Sequence, residues 1–252
     1  MFEYLWLLPL GFVAGIVGSM IGLGGGFIVV PVLTFFGFSP TLAASDSLFA
    51  AFANSIASTA SYSRQKRIVY SLGIKLALIS IPGTILGAYI SDQVSPPLFK
   101  LLFGLVLVAS CVYIYMRRKM ESREYNLSKQ IMLLVVGASF FAGVISSLFG
   151  IGGGVVFVPL MVIAIGLSMK LAAPTSQFIL MFASASGMIM HSILGHPNYY
   201  EAGMLSIGSF IGGMIGSKLS TRINEMKLRI FVTIVIAATA VKLIIDALGR
   251  PF

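Results

Sequence analysis

The sequence predicts an all-α polytopic membrane protein made of two repeats of four apolar segments, and three observations predict it. With 58% hydrophobic residues, 10% charged residues and a mean hydropathy of +0.99, the 252-residue chain has too little polar surface to coat a water-soluble globule. Residues 14–33, AGIVGSMIGLGGGFIVVPVL, return as residues 142–161, AGVISSLFGIGGGVVFVPLM, identical at nine of twenty positions. The apolar stretches, 4–36, 40–61, 69–91, 96–116, 131–166, 168–193, 203–221 and 228–248, fall four to each half.

Most of these stretches have the ~20 residues that span a hydrocarbon core as helix. The first stretch of each half is too long for one crossing and too short for two. It is cut near its middle by Gly22, Gly24, Gly25 and Gly26, and in the copy by Gly150, Gly152, Gly153 and Gly154, with Pro31 and Pro159 following at equal spacing. Each glycine weakens a helix by about 1 kcal/mol relative to alanine, so neither stretch is one continuous helix. The N-terminus has no basic region ahead of its apolar run and is expected to begin the mature protein. Residues 1–116 form the first transmembrane repeat, 117–130 a cytoplasmic linker and 131–252 the second repeat. Beyond the glycine element LAASDS (42–47) lies on LAAPTS (171–176), Gly87 on Gly216 and Lys100 on Arg229.

The charge pattern orients the repeats, because Lys and Arg accumulate on cytoplasmic loops. Arg64, Lys66 and Arg67 mark the second-to-third linker of the first half, whereas its third-to-fourth linker, SDQVSPP, has no base. In the second half GHPNYYEA has none, and the next linker carries Lys218, Arg222 and Lys227, with Arg229 beyond. Equivalent linkers therefore face opposite sides, which requires an odd number of crossings per repeat. Three crossings plus one re-entrant hairpin, with the glycines at its tip and the two tips meeting near the midplane, satisfy this; both termini are then outside. Non-helical backbone at that depth must be surrounded by protein or line a cavity. Inverted repeats with broken helices are an architecture of secondary transporters. Two full-length kinked helices and parallel halves are the alternative, at the expense of one linker pair.

Other function classes find little support. The net charge of +9 falls in short clusters between apolar runs, not in the basic, aromatic-interleaved groove of a nucleic-acid binder. Cys111 is alone, so no intramolecular disulfide or cysteine metal site forms. His191 and His196 are spaced so that one helical face does not carry both, which argues against a metal pair. No cofactor is expected. Ser186 and His191, five apart on one helix, do not suit the nucleophile-to-base bond of an intramembrane hydrolase, and no catalytic residue is assigned. Lys242 and Asp246 are read as neutralising one another, and Tyr4, Trp6, Tyr199 and Tyr200 as interfacial anchors.

The twofold GxGGGxxxVP element, each copy followed by LAA and a short polar set, resembles the TauE/SafE family of sulfite and organosulfonate exporters over essentially the whole chain. The resemblance implies a bacterial or archaeal inner-membrane transporter of sulfite, thiosulfate, sulfonates or related small anions. The motif itself suits an anion: successive glycines expose backbone N–H groups, and a helix beginning after them aims its positive end at the tip. Gly24, Gly25 and Gly26 with Gly152, Gly153 and Gly154 are the candidate cradle, the alternative being close helix packing. No lysine follows as in a P-loop.

The second stretch of each half supplies side chains. Ser47, Ala51, Asn54, Ser55 and Ser58 recur at helical spacing, as do Ser176, Ala183, Ser184 and Gly187, giving one small, polar face that lines a path or permits close packing. Ser45, Asp46 and Ser47, with Thr175, Ser176 and Gln177, lie near the helix starts and are substrate-binding candidates or N-caps. Asp46 is a candidate proton-coupling carboxylate, with capping or an ion pair to a base such as Lys75 as the alternatives. The expected partners are a small anion, the bilayer, protons as a coupling ion and a second copy of the chain. An anion channel, or a transporter of a non-sulfur organic anion, stays open beside this reading.

Overall fold

The computed structural model describes residues 4–116 and 129–222, and beyond them positions 233, 234, 237, 238, 240–245 and 247. Most of the linker 117–130, together with Lys227, Arg229 and Asp246, lies outside the described residues. Among the described residues all regular structure is helical: α1 (Leu7–Ile21), α2 (Gly26–Phe35), α3 (Pro40–Arg64), α4 (Tyr70–Ser91), α5 (Pro96–Met116), α6 (Lys129–Phe149), α7 (Gly154–Ile163), α8 (Met169–Ile193) and α9 (Tyr199–Leu219). The exterior is apolar, as a bilayer requires: Leu78, Leu133 and Ile193 are 62%, 75% and 72% exposed.

Each glycine-cut stretch is two short helices. At 15 and 10 residues, α1 and α2 are about 22 and 15 Å long, and neither crosses a hydrocarbon core of about 30 Å. The chain doubles back between them, since the Trp6 ring at the start of α1 lies 4.6 Å from that of Phe36 after α2. The second half repeats the packing at the turn. A Cβ at Gly25 would lie 2.8 Å from the Ala14 carbonyl oxygen, and one at Gly153 would lie 3.3 Å from that of Ala142.

Contacts across the halves fix the helix directions. A Cβ at Gly208, Gly212 or Gly216 of α9 would meet the carbonyl oxygens of Leu8, Phe12 or Ile16, so α1 and α9 run in the same sense. Likewise Gly83 and Gly87 of α4 lie against Phe140 and Val144 of α6. These are the same contacts at repeat-equivalent positions. Asp46 reaches Asn198 and Ser58 reaches Gly213, so α3 runs with α9; Val69 reaches Thr175 and Thr84 reaches Ser186, so α4 runs with α8. By contrast α3 and α8 are antiparallel: Leu48 lies by Gly187, while Arg67, beyond the other end of α3, bonds the Lys170 carbonyl. The basic linkers converge at one end, where Arg67 donates to Ser220 Oγ (3.1 Å) and Gln65 to the Ser217 carbonyl (3.3 Å). The linkers without bases meet at the other, with His196 2.8 Å from Asp92.

Small residues make this interlocking possible, since backbones approach where side chains are missing. At Gly83 a Cβ would stand 2.1 Å from the Phe140 carbonyl oxygen, whereas one at Gly137 meets nothing within 4 Å. The same substitution should therefore have opposite effects. Gly83→Ala is expected to destabilise by about 1–3 kcal/mol through overpacking, and Gly137→Ala to be neutral or to stabilise by up to about 1 kcal/mol, measured by thermal unfolding in detergent.

Candidate functional site

The two glycine tips meet. A Cβ at Gly26 would lie 2.2 Å from the Gly150 carbonyl oxygen, and one at Gly154 would lie 2.3 Å from that of Gly22, so these two glycines are needed for contact between the tips. Gly22, Gly24 and Gly25 (φ +84°, +84°, +85°) and Gly150, Gly152 and Gly153 (φ +68°, +71°, +81°) are left-handed, a conformation other residues adopt at a cost of about 1–2 kcal/mol. Gly25 and Gly153 are the N-caps of α2 and α7. The Gly25 carbonyl accepts from Ile28 and Val29, and the Gly153 carbonyl from Val156 and Phe157. The amides at both helix starts thus lie where the tips touch, and the positive ends of two helix dipoles converge there.

Part of this cradle is already engaged. Gly22, Leu23 and Gly24 all direct their N–H groups at the Gly18 carbonyl, at 2.9, 2.9 and 3.4 Å, and Gly25 packs against α1. Gly26 has a hydroxyl beside it: Ser47 Oγ lies 2.9 Å from where its Cβ would stand. In the other half Ser176 Oγ donates to the Gly22 carbonyl (2.7 Å) and Gln177 Nε2 to the Gly18 carbonyl (2.9 Å), so these two side chains brace the first tip.

N-capping of their own helices is overturned for the polar triplets. α3 starts at Pro40 with Ser39 as its cap, and α8 starts after Ser168, so Ser45–Ser47 and Thr175–Gln177 lie more than a turn inside. Two of them act on helices of the opposite half instead. Asp46 Oδ1 accepts from the backbone N–H of Asn198, the N-cap residue of α9, at 3.0 Å; Thr175 Oγ1 accepts from that of Val69, the N-cap residue of α4, at 3.0 Å. The positions are equivalent, and a threonine does the same structural work as the aspartate. Lys75 is exposed on the outer face and is not the partner of Asp46.

Around the tips polar groups are buried without partners. Ser45, Ser47, Ser146 and Ser147 Oγ, Asn54 Nδ2 and Gln177 Oε1 make no hydrogen bond within the protein. Such groups cost about 1–3 kcal/mol each when left unpaired, and a cluster of them marks a place for a polar guest. Sequence reasoning missed Ser146 and Ser147, although two adjacent serines just ahead of the second tip were a visible signal. Leu180 of α8 stands between the tips: its Cδ2 lies 2.3 Å from a Cβ built at Gly24 and 2.9 Å from one at Gly152. Its repeat equivalent, Ala51, is 3.4 Å from the latter position.

Residues 7–243 match the family described as sulfite exporter TauE/SafE. The chain belongs to the TauE/SafE family. It is 28% identical to the probable membrane transporter protein YunE of Bacillus subtilis, over 98% of this chain and 99% of that one. It is 32% identical to the probable membrane transporter protein MJ0441 of Methanocaldococcus jannaschii (92% and 93%) and 23% to YfcA of Escherichia coli (94% and 88%), which carries the same description. No solved structure matches. The protein is a membrane transporter of the prokaryotic cell membrane.

Two features of this TauE/SafE chain depart from sequence expectation. The histidines do meet: His191 Nδ1 is 2.7 Å from His196 Nδ1, and His196 Nε2 is 2.8 Å from Asp92 Oδ2. The left-handed Gly195 (φ +77°) turns the chain back after α8, returning His196 N–H to the His191 carbonyl. His191 Nε2 faces the Ser147 carbonyl at 3.1 Å, as Tyr62, its repeat equivalent, donates to the Ser19 carbonyl at 2.8 Å. This is a brace for a broken helix end; among the described residues no group of three metal-binding side chains occurs. Second, α9 begins at Tyr199, capped by the Asn198 side chain, earlier than the stretch at 203, which carries Glu201 out of its expected loop. Glu201 is buried beside Asp46, so that two carboxyl groups share one site.

Leu180 is a large apolar side chain against both tips. Leu180→Ala is expected to destabilise by about 2–5 kcal/mol, measured by thermal unfolding in detergent.

Proposed function

We propose that the protein is a secondary transporter that moves a small oxyanion, of the sulfite, thiosulfate or organosulfonate class, by alternating access. The observation that carries this reading is the meeting of two left-handed glycine helix starts, one from each repeat, among buried hydroxyls without partners. Amide dipoles and hydroxyls hold an oxyanion weakly enough to release it. Among the described residues no lysine or arginine is buried, so within this class a monoanion such as hydrogensulfite or a sulfonate fits better than a dianion such as thiosulfate, unless a cation accompanies it. The sulfur class rests on the family description.

In this reading residues 1–116 and 131–252 are inverted repeats joined by a cytoplasmic linker at 117–130, and each glycine-split pair is a re-entrant hairpin. Three facts support it: α3 runs against its equivalent α8, the start of α1 adjoins the end of α2, and basic and non-basic linkers gather at opposite ends. Inversion gives two nearly equivalent states, which favours a transporter over a channel. Asp46 carries the coupling proton, with Glu201 beside it. Its Oδ1 is occupied in the cap of α9, where Thr175 serves equally well in the other half, and the surplus carboxyl oxygen is what the copy lacks.

Proteoliposome flux tests the cargo. Sulfite and simple sulfonates should move faster than sulfate and carboxylates, and equal movement of all would defeat the selectivity. Gly24→Ala and Gly152→Ala, whose methyl groups would meet the Leu180 side chain between the tips, should each cost about 1–2 kcal/mol in left-handed strain and lose at least about tenfold in affinity, about 1.4 kcal/mol. Asp46→Thr should keep the cap of α9 and flatten the pH dependence of flux; an unchanged pH profile would remove Asp46 from coupling. For topology, single cysteines at Asn198 and Ser63 in a Cys111→Ser background should label from outside and from inside, respectively, with an impermeant thiol reagent.

A further inference from the structure

At the basic end of the molecule, α3 and α9 leave a groove on their outward face. A cavity of about 320 Å³ there is lined below by Ile56, Ala57, Ala60, Phe210 and Met214 and above by Arg64, Gln65 and Lys218. A second, of about 460 Å³, adjoins it through Gln65 and Lys218 and ends at Thr221 and Arg222. The trough exists because α3 presents alanines where α9 presents long side chains: Phe210 and Met214 are 41% and 42% exposed and form one wall.

Among the described residues Arg64, Lys218 and Arg222 make no ion pair. The described acidic residues, Asp46, Asp92 and Glu201, do not line this groove, and the single ion pair among the described residues, His196 with Asp92, is at the opposite end. Three bases therefore rim an apolar, laterally open trough in a chain that lies in a bilayer. We infer that this α3–α9 groove binds an anionic phospholipid of the cytoplasmic leaflet, its phosphate held by Arg64, Lys218 and Arg222 and one acyl chain lying over Ala57 and Ala60.

Charge decides among occupants. A second copy packed here by a twofold axis would set the three bases against themselves, since such an interface meets its own surface. A zwitterionic lipid adds a cation to a site already rich in them. A soluble phosphate would use the rim and leave the apolar trough without purpose. Anionic lipid uses both, gaining head-group attraction worth about fivefold in affinity per base and the burial of methylene groups. The inference is independent of the cargo.

Native mass spectrometry of the full chain, purified in neutral detergent with phosphatidylglycerol or phosphatidylcholine added, tests it. One phosphatidylglycerol per chain should survive activation that strips phosphatidylcholine. Arg64→Gln, Lys218→Gln and Arg222→Gln should each weaken retention about fivefold. Ala60→Phe fills the trough with all charges intact and should weaken retention as well, with lipid-free thermal unfolding reporting that each variant is folded. Equal retention of both lipids, or retention unaffected by the variants, would overturn the proposal. So would full competition by water-soluble glycerol 3-phosphate at equal concentration, which would make the groove a soluble-anion vestibule.

Discussion

The structure depends on how broken backbone is satisfied where no water is at hand. α1 and α6 stop inside the protein, and the carbonyls at their ends must find donors other than the next helical turn. α3 and α8 supply them: Tyr62 bonds the Ser19 carbonyl, His191 faces the Ser147 carbonyl, and Ser176 and Gln177 take the carbonyls of Gly22 and Gly18. These long helices sit at the centre because they repair the ends of the short ones. Their small polar faces, read from sequence as a path or a packing surface, serve the repair first; the hydroxyls left over define the candidate site.

The two halves are braced unequally. Ser176 bonds the Gly22 carbonyl, whereas its equivalent Ser47 has no partner, and Leu48 stands where the second half has Gln177. The first tip is held by side chains from the other half, and the second is left with unpartnered hydroxyls around it. The sequence pairs Asp46 with Thr175, and the structure explains why such unlike residues are equivalent: each needs only one acceptor oxygen, for the first amide of a helix in the opposite half.

Much of the fold was legible because its signals are local or periodic. The apolar stretches foretold an all-helical chain, and the glycine clusters foretold the breaks between α1 and α2 and between α6 and α7. What was illegible depended on geometry between elements. His191 and His196 were kept apart by helical spacing, yet a left-handed glycine between them brings their rings together. Glu201 was assigned to a loop because its helix was started at the first run of apolar residues, and the Asn198 cap starts it sooner. Leu180 reads as one more apolar residue until both tips are seen to press on it.

The pairing of α1 with α9 bears on how the protein is made. Gly11 and Gly15 of α1 meet Leu205 and Ser209, residues synthesised almost two hundred positions later. At the ribosome, α1 therefore waits for its partner through most of translation, its glycine face bare, while α4 and α6 can pair far sooner. Contacts of such long sequence separation form slowly. α1, although first in the chain, therefore completes its packing only once α9 has been made.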